Sequence, residues 1–164
     1  MRDVILIATN FSGDSDMNLK KLLSEDTIIF ALKGATKEEI IQEMIDLLVA
    51  RGRIKDRDAA LKAVLDREQK MSTGMQHGIA IPHGKTDSVD KLVTAMGLKK
   101  EGVDFGSMDG KPSTIFIMTI SSISRTGPHI QFLSEISQVL NDPEKRERIL
   151  QSQSASEILD ILTN

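Results

Sequence analysis

The chain has 164 residues, is 40% hydrophobic and 27% charged, and carries 21 basic against 24 acidic residues for a net charge of −3. That length suits one domain with one sizeable core, and the charge balance gives no electrostatic reason to expect nucleic acid or an anionic membrane as partner. The absence of cysteine excludes disulfides, thiolate zinc sites and a cysteine nucleophile, and it agrees with a cytoplasmic protein.

The apolar run Val4–Ala8 is too short for a secretion signal, and no stretch approaches the roughly 20 apolar residues of a membrane span. With five Phe and neither Tyr nor Trp, base stacking has few platforms, and the eight Met are read as core fillers. Met1–Asp16 reads as a short strand followed by a polar, glycine-containing lead-in that suits flexibility. Asn18–Leu23 suits a short helix, and Thr27–Leu32 is rich in β-formers. From Lys37 the apolar positions Ile40, Met44, Leu47 and Leu48 follow helical spacing, widened by Ile41 and Ile45. Thr36 is placed to cap this helix, Glu39 to complete a capping box, and Gly52 to end it.

A second helix follows from Arg57 to about Lys70, capped by Asp56, with Ala60, Leu61, Val64 and Leu65 facing inward. The loop Ser72–Gly74 precedes a strand-like run ending at His83. Leu92–Leu98 and Ser113–Ile120 read as further strands, with turn-forming glycines and Asp109-Gly110-Lys111-Pro112 between them. After Gly127-Pro128 the pattern is helical again, with His129, Phe132 and Ile136 on one face, joined by Leu133, Val139 and Leu140. Pro143 opens another helix and Ala155–Leu162 a last short one. Strands interleaved with helices predict a single α/β domain whose sheet is covered on its faces.

The candidate chemistry centres on Gly78-Ile79-Ala80-Ile81-Pro82-His83-Gly84, where an apolar strand presents one imidazole between a proline and a glycine. Pro82 fixes its own φ and biases Ile81 toward extended backbone. Gly84 removes a side chain that would crowd the ring or an approaching ligand. A neutral imidazole can accept a phosphoryl group, and the product then needs donors or positive charge nearby. Arg67, near the end of the second helix, suits either a solvated surface position or a fork onto phosphate oxygens. His129, at a helix N-terminus, suits either a cap or an anion-binding role.

His77 fits an exposed loop; on a continuous strand it would lie roughly 20 Å from His83, too far to share a metal ion. Gly102, Gly106 and Gly110 recur every fourth residue but lack the lysine–serine pair and helix of a phosphate loop, so they read as turns. Glu68 and Asp66 flank Arg67 without forming a catalytic carboxylate pair.

Arg67-Glu68, Ser72-Thr73-Gly74 and the Gly78–Gly84 block together resemble the enzyme IIA component of the phosphoenolpyruvate-dependent sugar phosphotransferase system, in its fructose/mannitol and nitrogen-regulatory branch. The likeness extends from about Met17 to Leu162 through Leu22-Leu23-Ser24, Gly102-Val103-Asp104-Phe105-Gly106 and His129-Ile130-Gln131-Phe132-Leu133. It departs at Met75-Gln76-His77, where relatives often carry glycine or smaller polar residues, and at Met1–Asp16, since relatives usually begin near Met17. The resemblance implies a single carrier domain over 17–164 behind an extension of 16 residues, with a mixed, mostly parallel sheet flanked by helices on both faces.

The resemblance further implies that His83 accepts a phosphoryl group from the phosphocarrier HPr, usually on Nε2, and that Arg67 and His129 hold the phosphate or orient the ring. It implies no cofactor and no metal. Partners of the IIB type receive the group on a cysteine, which these residues lack, so the recipient is expected to be a separate IIB protein. Two functions follow as expectations: a carrier feeding a sugar permease, or a regulatory module whose phosphorylation state controls partner proteins. A metal-dependent hydrolase using the histidines is the third, and it would require bound metal.

Overall fold

The computed structural model describes residues 19–125 and 127–164. The strand and lead-in read over Met1–Asp16 lie outside them. The element order is α1 (Leu19–Leu22), a 3-10 turn (Glu25–Thr27), β1 (Ile28–Ile29), α2 (Lys37–Ala50), α3 (Arg57–Lys70), β2 (Ile79–Ala80), β3 (His83–Lys85), β4 (Val93–Val103), β5 (Ser113–Ser121), α4 (Gly127–Leu140), α5 (Pro143–Gln151) and α6 (Ala155–Thr163). The strands form one five-stranded mixed sheet in the order β1-β4-β5-β2, with β3 also on β5. Three pairings are parallel and the longest, β4 with β5, is antiparallel.

β5 is the central strand, flanked on one side by β4 and on the other by β2 and β3 in succession. It is buried along nearly its whole length, which is why Ser113–Ser121 reads as a continuous apolar run rather than an alternating one. Its side chains nevertheless divide by parity. Ile115 and Ile117 join Met96, Leu98, Phe132 and Ile136 in one core beneath α1 and α4–α6. Phe116, Met118 and Ile120 join the second core, formed with α2 and α3.

The helix caps follow the sequence with one displacement. Thr36 Oγ1 accepts from Glu39 N–H, while the Glu39 carboxylate accepts from Ala35 N–H, one residue before the position a capping box would use. Asp56 caps α3 by accepting from Ala59 N–H, and Gly52 adopts φ +72° just past α2. The buried stripe of α3 is Ala60, Val64 and Glu68; Leu61 and Leu65, expected inside, are only partly buried at its margin. The β-rich segment after Thr27 contributes only Ile28 and Ile29 to the sheet. Of the methionines, Met44, Met75, Met96 and Met118 are buried, but Met71 and Met108 are exposed.

Gly84 also serves a contact that the sequence does not show. A Cβ there would stand 2.9 Å from the Ala63 carbonyl carbon and the Val64 nitrogen, so the backbone of α3 approaches closely at this position. Gly84→Ala is expected to push α3 away from β3 and to cost about 1–3 kcal/mol, the usual penalty of overpacking. A urea-unfolding midpoint unchanged from wild type would refute that reading of the contact.

Candidate active site

The edge strand beside β5 is broken where the sequence places proline. β2 pairs with β5 at Ile79 and Ala80, the ladder lapses at Ile81-Pro82, and β3 resumes it with His83 opposite Thr119. His83 therefore opens a strand instead of ending one. Pro82 has no N–H to give the ladder, and an edge strand tolerates the gap. Its carbonyl still accepts from Thr119 N–H at 3.2 Å. The Ile81 carbonyl turns to the histidine ring, and His83 Nδ1 lies 2.9 Å from it. A carbonyl only accepts, so Nδ1 carries the proton and Nε2 keeps its lone pair.

His83 lines an open cleft of about 200 Å³ together with Arg67 and His129, with Met75, Ile81 and Leu133 among its apolar walls. The cleft sits at the sheet edge, so groups from both faces reach it: Arg67 from α3 and His129 from the first turn of α4. The two imidazoles lie with ring centroids 5.4 Å apart and planes inclined by 44°. Arg67 Nη1 donates to the Met71 carbonyl at 2.8 Å, which draws its guanidinium over the end of its own helix. His129 Nδ1 lies 3.1 Å from Thr119 Oγ1.

The three residues picked from the sequence for chemistry thus share one cleft, and His77 does not. It stands exposed in a left-handed turn (φ 66°), its N–H donating to Asp109 Oδ2. Among the described residues, no three histidine or carboxylate groups are placed to hold a metal ion.

Two supports were not read from the sequence. Glu68, next to Arg67, is 6% exposed and accepts from the Thr73 N–H and hydroxyl and from Lys37 Nζ at 3.1 Å. It thereby ties the cleft-lining loop at Thr73 to both helices of that face. Lys37 is in turn 5.0 Å from the centre of the Phe105 ring. Thr119 is the second support. Its only sequence signal is a hydroxyl inside the apolar run Ile115–Ile120, and it is fully buried.

Burial disfavours the charged form of both rings. Burial lowers the pKa of His83; the Ile81 hydrogen bond opposes this, the Arg67 charge lowers it further, and Glu68 and Lys85 act in opposite senses. Burial, with the charges of His83 and Lys85, brings His129 down to about 4. A histidine with a depressed native pKa binds fewer protons folded than unfolded. Its stabilisation is complete above the unfolded value of about 6.5 and is lost as pH falls toward 4. The interval corresponds to about 3 kcal/mol. His129→Gln is therefore expected to flatten the loss of unfolding free energy between about pH 7 and pH 4.5. A variant curve parallel to wild type would contradict a buried neutral imidazole.

A family model described as "Phosphoenolpyruvate-dependent sugar phosphotransferase system, EIIA 2" matches residues 21–164. The chain is 42% identical over 128 residues to the PTS system fructose-specific EIIA component of Haloferax volcanii, covering 78% of this chain. It spans 83% of that relative's length but only 23% of a longer fructose-specific relative. The crystal structure of nitrogen regulatory protein IIA-Ntr from Neisseria meningitidis superposes with a TM-score of 0.82 at 28% identity, covering 88% of this chain and 99% of that one. IIA mannitol from Escherichia coli, solved in complex with phosphorylated enzyme IIB mannitol, gives a TM-score of 0.75 at 30% identity over 85% and 96% of the two chains.

Proposed function

The chain belongs to the phosphoenolpyruvate-dependent sugar phosphotransferase system EIIA 2 family, and on that premise we propose that it is a phosphohistidine carrier, with residues 17–164 as the carrier domain. His83 Nε2 takes a phosphoryl group from phospho-HPr and passes it to a IIB component that serves sugar uptake. The observation that carries this reading is the contact between His83 Nδ1 and the Ile81 carbonyl. With Nδ1–H held by the Ile81 carbonyl, the remaining lone pair lies on Nε2, in a cleft beside Arg67 and His129.

In the accepting step, the Nε2 lone pair forms a bond to phosphorus as the bond from phosphorus to the donor imidazole breaks. That electron pair returns to the donor nitrogen. Nδ1 keeps its proton, so no proton has to leave the site. The transferring group spreads negative charge over its oxygens, and catalysis is then mainly positioning and electrostatic stabilisation. Arg67 supplies a fixed positive fork and His129 a neutral ring that can donate from one nitrogen. Onward transfer reverses the chemistry, with a IIB cysteine thiolate attacking the phosphorus and the electron pair returning to Nε2. These residues contain no cysteine, so the accepting thiol lies outside them.

A second reading, regulation of partner proteins by phosphorylation state, is favoured by the fold likeness to nitrogen regulatory IIA-Ntr. Both use His83 and differ in what drains it. The test incubates the purified protein with phosphoenolpyruvate, enzyme I and HPr, follows its intact mass, then adds a IIB protein. Gain of one acid-labile phosphoryl group that IIB removes supports the transport carrier. A phospho-form that IIB leaves untouched supports regulation. No gain with active HPr overturns both.

A further inference from the structure

Thr119 occupies a place where the sheet would take a valine. It is fully buried, its β5 neighbours Met118 and Ile120 are apolar, and its methyl-bearing shape packs as valine would. A hydroxyl there costs free energy to desolvate unless it is hydrogen-bonded. Its partner among the described residues is His129 Nδ1, at 3.1 Å. The same residue's N–H donates to the Pro82 carbonyl, and its Cα stands opposite His83 in the β3–β5 register. One residue of the central strand thus ties both cleft histidines: His83 through the backbone and His129 through the side chain.

The direction of the side-chain bond decides what His129 can do. A hydroxyl has one proton and two lone pairs, and a buried donor left unpaired is rarer and costlier than an unused lone pair. The Thr119 proton therefore goes to His129 Nδ1. A neutral ring that accepts at Nδ1 carries its own proton on Nε2. That nitrogen is left for the cleft, where an N–H attracts phosphoryl oxygens and a bare lone pair would repel them.

We propose that Thr119 is a positioning residue for phosphoryl transfer, its hydroxyl donating to His129 Nδ1 and so fixing the tautomer whose Nε2–H meets the phosphoryl group. The inference rests on the carrier reading for its consequence, though not for the tautomer itself. Burial of the ring, which keeps it neutral, is consistent with it. The hydroxyl also rotates, so the bond survives if the ring gains a proton beside the phosphorylated partner: Nδ1–H then donates to Oγ1.

The test compares wild type with Thr119→Val, Thr119→Ala and Thr119→Ser. Imidazole nitrogen NMR of the unphosphorylated protein, with the three histidines assigned through their own variants, reads the His129 tautomer directly. The wild type and Thr119→Ser should show Nε2–H alone, and the valine and alanine variants a mixture. Transfer from phospho-HPr should fall about ten- to a hundredfold in the valine and alanine variants, by analogy with losing the outer hydrogen-bond partner of a metal-bound histidine, and recover with serine. A wild-type His129 protonated at Nδ1, or a valine variant with unchanged tautomer and unchanged rate, overturns the proposal. Alanine serves if valine disturbs the packing, since it removes the hydroxyl without adding bulk. A wild-type protein that takes no phosphoryl group refutes the carrier reading, while the NMR comparison still decides the tautomer.

Discussion

His83→Ala is expected to abolish phosphoryl acceptance outright while leaving the fold in place. The loss should be complete because neither remaining histidine can substitute. His129 engages Nδ1 with Thr119 and is only 7% exposed, and His77 lies in an exposed turn outside the cleft. The fold should survive because the ring's hydrogen bond goes to the carbonyl of a residue only two positions away. Losing one such bond costs about 1 kcal/mol. Intact mass after incubation with phosphoenolpyruvate, enzyme I and HPr would show no added phosphoryl group, with far-ultraviolet circular dichroism as in wild type. An acid-labile phosphoryl group that persists on the variant would place the acceptor elsewhere. In the wild type, phosphorus-coupled nitrogen NMR should find the group on Nε2. Attachment at Nδ1 would mean that the Ile81 bond does not set the tautomer.

Arg67→Ala and His129→Ala are expected to slow transfer from phospho-HPr by about ten- to a thousandfold each, the range for losing one electrostatic stabiliser of a transition state. Both effects should appear in the rate of transfer, since the charge they meet is largest while the phosphoryl group moves. Arg67→Lys should recover little of the loss, because an ammonium lacks the planar fork that grips two oxygens. The double variant should lose less than the product of the single losses if both groups address the same phosphoryl oxygens. Stability separates the two. Arg67 donates to a carbonyl at a solvent-facing helix end, so its removal should barely move the unfolding midpoint. His129 is buried and should move it. Single variants with wild-type rates would remove these residues from the site.

The proposed acceptor position, His83, is legible because its surroundings break local rules. Proline and glycine on either side of His83 interrupt an otherwise apolar strand, and that irregularity is visible without any tertiary information. The helix caps at Thr36 and Asp56 and the helix start at Pro143 are legible too, since capping is an exchange between residues three or fewer positions apart; the Asp142 cap on Glu144 N–H comes from the structure. Glu68 is not legible. A carboxylate in the last turns of a helix looks solvated, and only the packing of α2 beside α3 brings Lys37 to it. The contact of Gly84 with α3 is hidden for the same reason: the crowding atoms, Ala63 and Val64, belong to another element.

By itself, the sequence determined a single α/β unit, the ordering of its helices and the candidate residues His83, Arg67 and His129, because periodicity, capping and strand punctuation are short-range properties of the chain. Only the tertiary structure decided that Arg67 and His129, from opposite faces of the sheet, meet at its broken edge. It also decided that the Ile81 carbonyl leaves Nε2 as the free nitrogen, and that Thr119 reaches His129. Those contacts join residues whose separation in sequence carries no trace of their distance in space. Hydrogen-bond direction at an imidazole is settled by whichever neighbours the packing supplies.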